Sequence, residues 1–530
     1  MTDAPPKKPT RAGVLVLRGA SMRIFAMLVN VVGTLALLPI MVQSLGDYWF
    51  GIWMLIGAIV MQYHAFDFGM SQTVVRFLSK HRADGDEEGA CRVFSTTIVA
   101  FLALGLLTLL IVAAALVAIS VLVDDPIRRD TLLAVVALLG FTASMAFPTY
   151  VYEGSIAATL RQDIGSILLL MRASIRIALT YFALRAGYGI VTVALIAVFT
   201  DTVYRIALWF LQRRIYPELK FVRSLVSWKY FKEMLKFGRF VFLSNISKFS
   251  ITHSSVIIVS SLIGVTANAT YAIALNVITR LEGLIRLGFF VTMPAFTDIA
   301  VRSADHRILR ERFFVVTRVV AFGVSLIGGG LIVAGHEFIT AWIGPDYTDA
   351  YLPLLILMSA WMFDLVQVPA LQLMTALGKH KRFAYYDFGI ACCSVAAASA
   401  LAIPYGIVGV AFGVGLPVAV GAVALKSRNV CRELEIPLPY YFGQVGRVML
   451  GSFAFQVPVW FLLQDMPPMN LGELFLFGCI TYGAIAVPIL LIIMPRSDQI
   501  YLAGLLPLRV RRLVWQILPH LRPPAGKGAA

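Results

Sequence analysis

Charged residues are scarce in this 530-residue sequence. Only 14% of the residues are Asp, Glu, Lys or Arg, 59% are hydrophobic, and the mean hydropathy is +0.82. Soluble domains carry about a quarter of charged residues, so this composition excludes a soluble globular protein and predicts a polytopic membrane protein. The net charge of +16 does not predict a nucleic-acid partner, because the cations lie in short clusters between apolar stretches.

Motifs for metal binding and catalysis are also lacking. The five cysteines have no metal-ligand spacing and predict no disulfide framework. There is no G-x-x-x-x-G-K-S/T phosphate loop, which excludes an ATP-driven pump formed by this chain alone, and no H-E-x-x-H or G-x-S-x-G motif occurs. The D-G-D sequence at Asp84 has the form with which sugar-nucleotide enzymes hold a metal, but its loop is short and we interpret it as a solvated turn. We predict no catalytic residue, metal or cofactor.

What the sequence does contain is a series of apolar stretches of about 20 residues or more, the length that crosses a hydrocarbon core. We identify fourteen: 13–43, 49–78, 93–123, 131–158, 164–185, 188–212, 236–263, 266–296, 312–335, 350–377, 383–403, 406–425, 442–463 and 472–494. The loops after even-numbered spans hold most of the Lys and Arg residues, which predicts that both termini are cytoplasmic. Two of these basic segments, 216–236 and 501–521, also contain aromatic residues and are typical of interfacial helices on anionic lipids.

An internal repeat relates the two halves of the chain. A shift of 217 residues places YGIVTVALI at Tyr188 on YGIVGVAFG at Tyr405. The shift spans six helices, so the repeats share one orientation, and we predict an all-α fold of two six-helix lobes related by a pseudo-two-fold axis along the membrane normal. The predicted domains are a cytoplasmic tail (1–12), an N-terminal lobe (13–212), an interfacial linker helix (213–235), a C-terminal lobe (236–428), two additional spans (429–495) and a basic cytoplasmic tail (496–530).

Cations within the predicted spans are candidates for a binding site. Lys248 on span 7 lies near the middle of the membrane with Asn245 one turn before it, and Arg280 on span 8 lies four residues after Asn276. A charge at this depth costs about 2.5 to 3.5 kcal/mol and normally faces a water-filled pathway or a partner. We therefore predict an anion-accepting cavity. Arg23 on span 1 lines the cytoplasmic mouth of that cavity or extends to the headgroups.

Two further charge groups allow either a structural or a functional interpretation. Arg172 and Arg176 are four residues apart, an unfavourable like-charge pair unless an anion lies opposite. Asp201 on span 6 is a candidate partner for Arg176, and substrate contact by one of the arginines is the alternative. Glu282 and Arg286 are also four residues apart and are predicted to neutralise each other.

Two acids within spans are candidates for proton or sodium coupling. Asp364 on span 10 is our first choice and Asp67 on span 2 is the second. For Asp67 the alternative is a structural cap or salt bridge where span 2 bends at Gly69.

Several short motifs carry a family resemblance. They are LGDYWFG at Leu45 with FDFG at Phe66, AWIGPDY at Ala341, LGKHKR at Leu377 and YGIVGVAFG at Tyr405. These segments resemble polysaccharide flippases of the multidrug, oligosaccharidyl-lipid and polysaccharide exporter superfamily, over most of spans 1 to 12. YWFG departs from the family pattern by one extra residue.

The resemblance implies a flippase of the bacterial inner membrane that works by alternating access. Its substrate would be a polyprenyl diphosphate-linked oligosaccharide for O-antigen, capsule or exopolysaccharide, and a basic cavity would hold the diphosphate. Its partners would include the polysaccharide polymerase or export machinery. The alternatives are a cation-coupled multidrug exporter of the same superfamily, which Arg18 and Arg23 on span 1 disfavour, and a membrane polymerase or ligase of glycans, which would need a large outer catalytic loop.

Overall fold

The computed structural model describes residues 11–65, 67–159, 161–290, 296, 306–379, 381–505 and 516. The secondary structure of these residues is helical, and they include no strand. The chain divides into two compact units, Met1–Ala272 and Ile273–Ala530.

The first unit contains the linker and the helix that follows it. Its helices are α1 (Arg11–Ala65), α2 (Met70–Asp84), α3 (Glu87–Leu122), α4 (Pro126–Ala158), α5 (Gln162–Arg185), α6 (Ile190–Ile215) and α7 (Trp228–Leu262). The boundary between the units lies inside α8 (Val265–Phe290), whereas the sequence repeat placed it at the linker. The reason is that α7 packs against α1, α2 and α3.

The second unit contains the remaining helices. They are α9 (His306–Trp342), α10 (Tyr351–Leu365), α11 (Val368–Ala376), α12 (Lys381–Val420), α13 (Ser427–Glu433), α14 (Leu438–Gln464), α15 (Leu471–Pro488) and α16 (Arg496–Leu505). Two π-helical segments, Gly421–Lys426 and Ile489–Ile493, and one 3₁₀ segment, Pro345–Ala350, extend these helices.

Glycines break the two longest helices. If it were straight, α1 with its 55 residues would measure about 80 Å, more than twice the thickness of a hydrocarbon core. Gly46 interrupts it with φ 73° and ψ 166°, and Gly406 interrupts α12 with φ 58° and ψ −145°. Residues with a side chain rarely adopt either backbone conformation. Glycine is therefore required at both positions, where one apolar segment ends and the next begins.

Ten stretches of described residues are long and apolar enough to cross a membrane. Two of them, Met22–Val60 and Lys381–Glu433, include these breaks and each cover residues of two predicted spans. Helices α7 and α8 are not among the ten, although they coincide with predicted spans 7 and 8, whose polar residues we discuss below. The prediction of an all-α polytopic membrane protein is confirmed, and the pseudo-two-fold axis stays a prediction.

The second predicted span is interrupted at the expected glycine. Between α1 and α2 the chain makes a turn in which Phe68 and Gly69 have φ values of 53° and 70°. The buried Asp67 carboxylate accepts hydrogen bonds from the N–H of Gly69 (2.7 Å) and the hydroxyl of Ser71 (2.5 Å). Asp67 thus has the local capping contacts that the structural alternative requires.

The linker differs from the predicted interfacial helix over 213–235. Between α6 and α7 the chain has a single 3₁₀ turn, Arg223–Leu225. Ser95 and Thr96 of α3 accept hydrogen bonds from two linker N–H groups, at 2.8 and 3.1 Å. These donors bond across to α3 instead of along the chain, so the linker forms no α-helix before α7 begins.

Candidate functional site

A cluster of arginines lies on the facing sides of α5 and α6 in the first unit. The spacing of Arg172 and Arg176 puts both on one face of α5, opposite Asp201 of α6. Arg172 Nε lies 2.8 Å from Asp201 Oδ1, and Arg176 contacts the same oxygen. Arg176 Nε also donates to the hydroxyl of Thr200 (3.0 Å). The predicted pair of Arg176 with Asp201 is confirmed, and Arg172 joins it.

The cluster carries more positive than negative charge at its centre. Two guanidinium groups share one carboxylate oxygen, and a third arginine, Arg205, donates to the carbonyl of Thr142 (2.6 Å). The side chains of Arg172 and Arg176 are 31% and 33% exposed, while that of Asp201 is 12% exposed. The two arginines therefore keep accessible surface through which an anion could bind.

An acid on α4 completes this cluster. Glu153 accepts a hydrogen bond from the Tyr204 hydroxyl (2.8 Å), and the Arg172 guanidinium lies over the Tyr204 ring, 5.0 Å from its centroid. Arg23 of α1 is exposed in this structure. Sequence reasoning missed Glu153, although an acid inside a predicted span was a sufficient signal. The structure brings Arg172 and Arg176 together around Asp201, and the position of Arg23 at the cavity mouth or among the headgroups stays a prediction.

The second unit has its own network of charges. Arg286 of α8 contacts Glu282 (2.6 Å) and Asp364 of α10 (2.8 Å). Lys426, at the end of a π-helical segment, contacts Asp364 and Asp387 of α12, each at 2.7 Å. The predicted pair of Glu282 with Arg286 is confirmed. Lys426 was missed because it follows the predicted span 406–425 and was taken as a loop charge, and Asp387, inside the predicted span 383–403, was overlooked.

The surroundings of Asp364 bear on its suggested role in ion coupling. Each of its carboxylate oxygens contacts a cation, one from Arg286 and one from Lys426. A coupling carboxylate must offer an oxygen to the transported ion, and here both oxygens already contact cations. The contacts therefore favour a structural ion pair for Asp364 over the coupling role.

The polar stripe of α7 is used mainly within the helix. Thr252 and Ser255 are buried, and their hydroxyls donate to the carbonyls of Lys248 (3.1 Å) and Thr252 (3.0 Å). Asn245 is half-buried and Lys248 is exposed in this structure. On α8, in the second unit, Asn276 and Arg280 are half-buried. The role of these four polar and basic residues in anion binding stays a prediction.

The D-G-D sequence at Asp84 forms a helix cap. Asp84 is exposed, and the Asp86 carboxylate accepts a hydrogen bond from the N–H of Gly89 (2.8 Å) at the start of α3. This bond, together with the contact to His81 Nδ1 (2.8 Å), lowers the pKa of Asp86 below its ordinary value. Across the residues that the structure describes, no group of three His, Cys, Asp or Glu side chains could hold a metal ion.

Solved structures share this fold at low sequence identity. The lipid II flippase MurJ, in an inward closed conformation, matches with a TM-score of 0.68 and 11% identity, over 90% of this chain and 97% of that chain. An inward-facing multidrug resistance MATE family transporter of the MOP superfamily matches with a TM-score of 0.62 and 14% identity, over 78% and 99% of the two chains. A MOP superfamily transporter from Pyrococcus furiosus, described as having a binding pocket of reverse polarity, matches with a TM-score of 0.58 and 14% identity, over 80% and 96%.

Sequence comparison identifies the family. Among curated proteins, none is significantly similar to this sequence. The model of the family described as polysaccharide biosynthesis protein matches residues 16–300, which is more than half of the chain. This agrees with the resemblance carried by the LGDYWFG and FDFG motifs, and the chain belongs to the polysaccharide biosynthesis protein family.

Proposed function

We propose that this protein is a flippase that moves a polyprenyl diphosphate-linked oligosaccharide from the cytoplasmic to the outer leaflet of the bacterial inner membrane. The product would serve the synthesis of O-antigen, capsule or exopolysaccharide. Family membership supports the class of substrate. The observation that carries the proposal is the arginine cluster on α5 and α6, where Arg172 and Arg176 share the single carboxylate of Asp201 within membrane-spanning helices.

The chemistry of the cluster suits a diphosphate. Guanidinium groups donate paired, charge-assisted hydrogen bonds that match phosphate oxygens. Because Arg172 and Arg176 share one acid, each retains donors for a second anion. Each charge-assisted bond is worth about 1.5 to 3 kcal/mol, which is about ten- to a hundredfold in affinity.

An energy source is available without a nucleotide site. The membrane potential, negative inside, drives an anionic head group outward by about 2.3 kcal/mol per charge for each 100 mV. Consumption of the outer-leaflet product by later enzymes adds to this drive. Coupling to protons or sodium is the alternative, and the cation contacts of Asp364 do not favour it.

The test is a flipping assay in proteoliposomes that contain a fluorescent polyprenyl diphosphate oligosaccharide. A membrane-impermeant reductant reports how much probe has reached the outer leaflet. Arg172→Gln and Arg176→Gln should each slow flipping at least tenfold, while Arg176→Lys should retain part of the rate because it keeps a charge. Arg128→Gln is the matched control, because Arg128 is an exposed arginine paired with Asp125 at the start of α4. Equal flipping by all four variants would refute the site.

The same assay tests the two cations on α7 and α8. Lys248→Ala and Arg280→Ala are expected to reduce flipping strongly at normal protein levels, because each would remove a charge from the path of the diphosphate. If both variants flip the lipid at the wild-type rate, Lys248 and Arg280 do not belong to the binding site, and the proposed site is reduced to the arginine cluster.

The multidrug exporter makes the opposite prediction about substrate charge. A cluster with three arginines, Arg172, Arg176 and Arg205, repels a cationic drug, so we expect no gradient-driven transport of ethidium by the same proteoliposomes. Ethidium transport without flipping of the diphosphate lipid would overturn the proposed function.

A further inference from the structure

A basic surface extends along the first unit from the end of α6 to the first turns of α7. Between residues 213 and 239 the sequence has eight Lys and Arg residues and two acids. All eight cations are exposed: Arg213, Arg214, Lys220, Arg223, Lys229, Lys232, Lys236 and Arg239. Lys232, Lys236 and Arg239 are spaced i, i+4 and i+7, so they form one stripe on α7.

Three of these cations lie over aromatic rings. In the described part of the chain, none of the eight has a carboxylate oxygen within 4 Å, even though Glu233 lies on the same helix. The distances from the charged group to the ring centroid are 4.1 Å for Arg213 over Trp209, 5.5 Å for Lys232 over Trp228 and 4.8 Å for Arg239 over Phe240. Arg76 of α2 adds a fourth such pair, 4.1 Å from the Phe237 ring. Cations and aromatic rings together are typical of the membrane–water interface.

In the second unit, three cations form ion pairs with acids. Arg307 pairs with Glu311 (3.4 Å) and Arg310 pairs with Glu435 (2.9 Å). Lys379 pairs with Glu433. Glu433 and Glu435 lie in the segment that the 217-residue repeat aligns with the linker, and both acids pair with cations from other segments. The basic surface of the first unit has no such acids in contact, which leaves its charge available to an external anion.

The linker is fixed in a way that presents this surface outward. The thiol of Cys91 on α3 donates to the carbonyl of Glu218 (3.4 Å), and the hydroxyls of Ser95 and Thr96 accept from two linker N–H groups. The side chains of Tyr216 and Leu219 are buried in the core of the unit. In contrast, Phe221 is 49% exposed and Trp228 is 66% exposed, among the cations. The linker is therefore fixed against α3 by these contacts, and its exposed side chains are apolar and basic.

We propose that this basic surface binds the headgroups of anionic phospholipids in the leaflet that the positive-inside rule predicts to be cytoplasmic. The charges are spread along a segment of chain and are not gathered around one point, which suits several singly charged headgroups better than one diphosphate. The exposed aromatic side chains enter the headgroup region beside them. This interaction is separate from flipping, and it anchors the segment that connects α6 to α7.

The test measures lipid binding without transport. Purified, delipidated protein in detergent is titrated with phosphatidylglycerol or phosphatidylcholine, and the bound lipid is quantified by native mass spectrometry at low and high salt. The triple variant Lys232→Gln, Lys236→Gln, Arg239→Gln removes three charges from the stripe. The control Arg307→Gln, Arg310→Gln, Lys379→Gln removes the same number of charges from paired positions in the second unit.

Each basic residue near an anionic surface contributes about a fivefold factor, so loss of three should weaken phosphatidylglycerol binding about a hundredfold. Binding to the control should stay within a few fold of wild type, and a variant with Lys232→Arg and Lys236→Arg should bind as wild type does. Equal losses in the two triple variants, or equal binding of the two lipids by the wild type, would overturn the proposal. Unchanged phosphatidylglycerol binding with lost binding of a polyprenyl diphosphate would also overturn it and reassign the surface to the substrate.

Discussion

Replacement of Asp364 by asparagine separates the structural role of this residue from a role in ion coupling. The substitution would keep the shape of the side chain but remove the charge that faces Arg286 at 2.8 Å and Lys426 at 2.7 Å. Both cations would retain one acid each, Glu282 and Asp387. The network would therefore be weakened but not broken.

The expected loss of stability follows from these contacts. Of two charge-assisted hydrogen bonds worth about 1.5 to 3 kcal/mol each, one is lost and the other is weakened, because the amide oxygen accepts it without a charge. We therefore expect a loss of about 3 kcal/mol. Asp387→Asn removes only the contact with Lys426, and about half of that value is expected. For a unit of this size, the melting temperature should fall by about 6 °C for Asp364→Asn and about 3 °C for Asp387→Asn.

The measurement is thermal unfolding in detergent at a fixed heating rate, followed by fluorescence-detected gel filtration. A double-mutant cycle that combines Asp364→Asn with Lys426→Gln should be strongly non-additive, since both changes remove the same contact. The reasoning is refuted if Asp364→Asn melts at the wild-type temperature while flipping loses its response to an imposed proton or sodium gradient. Such a result would make Asp364 the coupling carboxylate.

Two further predictions use the same unfolding assay. Gly46→Ala should destabilise the protein by about 1 to 3 kcal/mol, because φ 73° and ψ 166° disfavour any side chain, although nothing lies within 4 Å of an added Cβ. Gly57→Ala, at a regular helical position of α1 that is equally open, should instead stabilise it by about 0.5 to 1 kcal/mol, and equal effects at the two sites would contradict this account. Arg318→Met should cost about 3 to 5 kcal/mol, because it leaves the fully buried Asp498 without the guanidinium it contacts at 2.8 Å. The double change with Asp498→Leu should recover most of that loss, and a double variant no better than the single one would argue against a desolvation cost.

The sequence was sufficient for the features that depend on short windows. Hydropathy over about 20 residues located the apolar segments, since a membrane span is a local property of the chain. Pairs four residues apart on one helix, such as Glu282 with Arg286, follow from the helical period alone. The pair of Arg176 with Asp201 was also accessible, because the two residues lie at similar depth on consecutive spans.

Contacts between distant segments depended on the tertiary structure. Asp364 meets Lys426, Arg318 meets Asp498, and Glu153 meets Tyr204. The sequence did not indicate these pairs. A membrane helix has apolar residues both on the side that faces lipid and on the side that faces other helices. Hydropathy therefore leaves their rotation about their own axes undetermined, and that rotation decides which charges meet.

The linker shows the same difference between features that follow from local composition and features that depend on tertiary contacts. Its composition predicted a surface of basic and aromatic residues, and such residues are exposed there. Its backbone was predicted to be helical over 213–235, but residues 216–227 form no α-helix, because hydroxyl and thiol groups of α3 take part in the hydrogen bonds that would otherwise run along a helix. The sequence thus determined which segments enter the membrane and which charges are available, because both follow from local composition. The pairing of those charges was decided by packing between segments far apart in the chain, which fixes helix rotation and backbone partners.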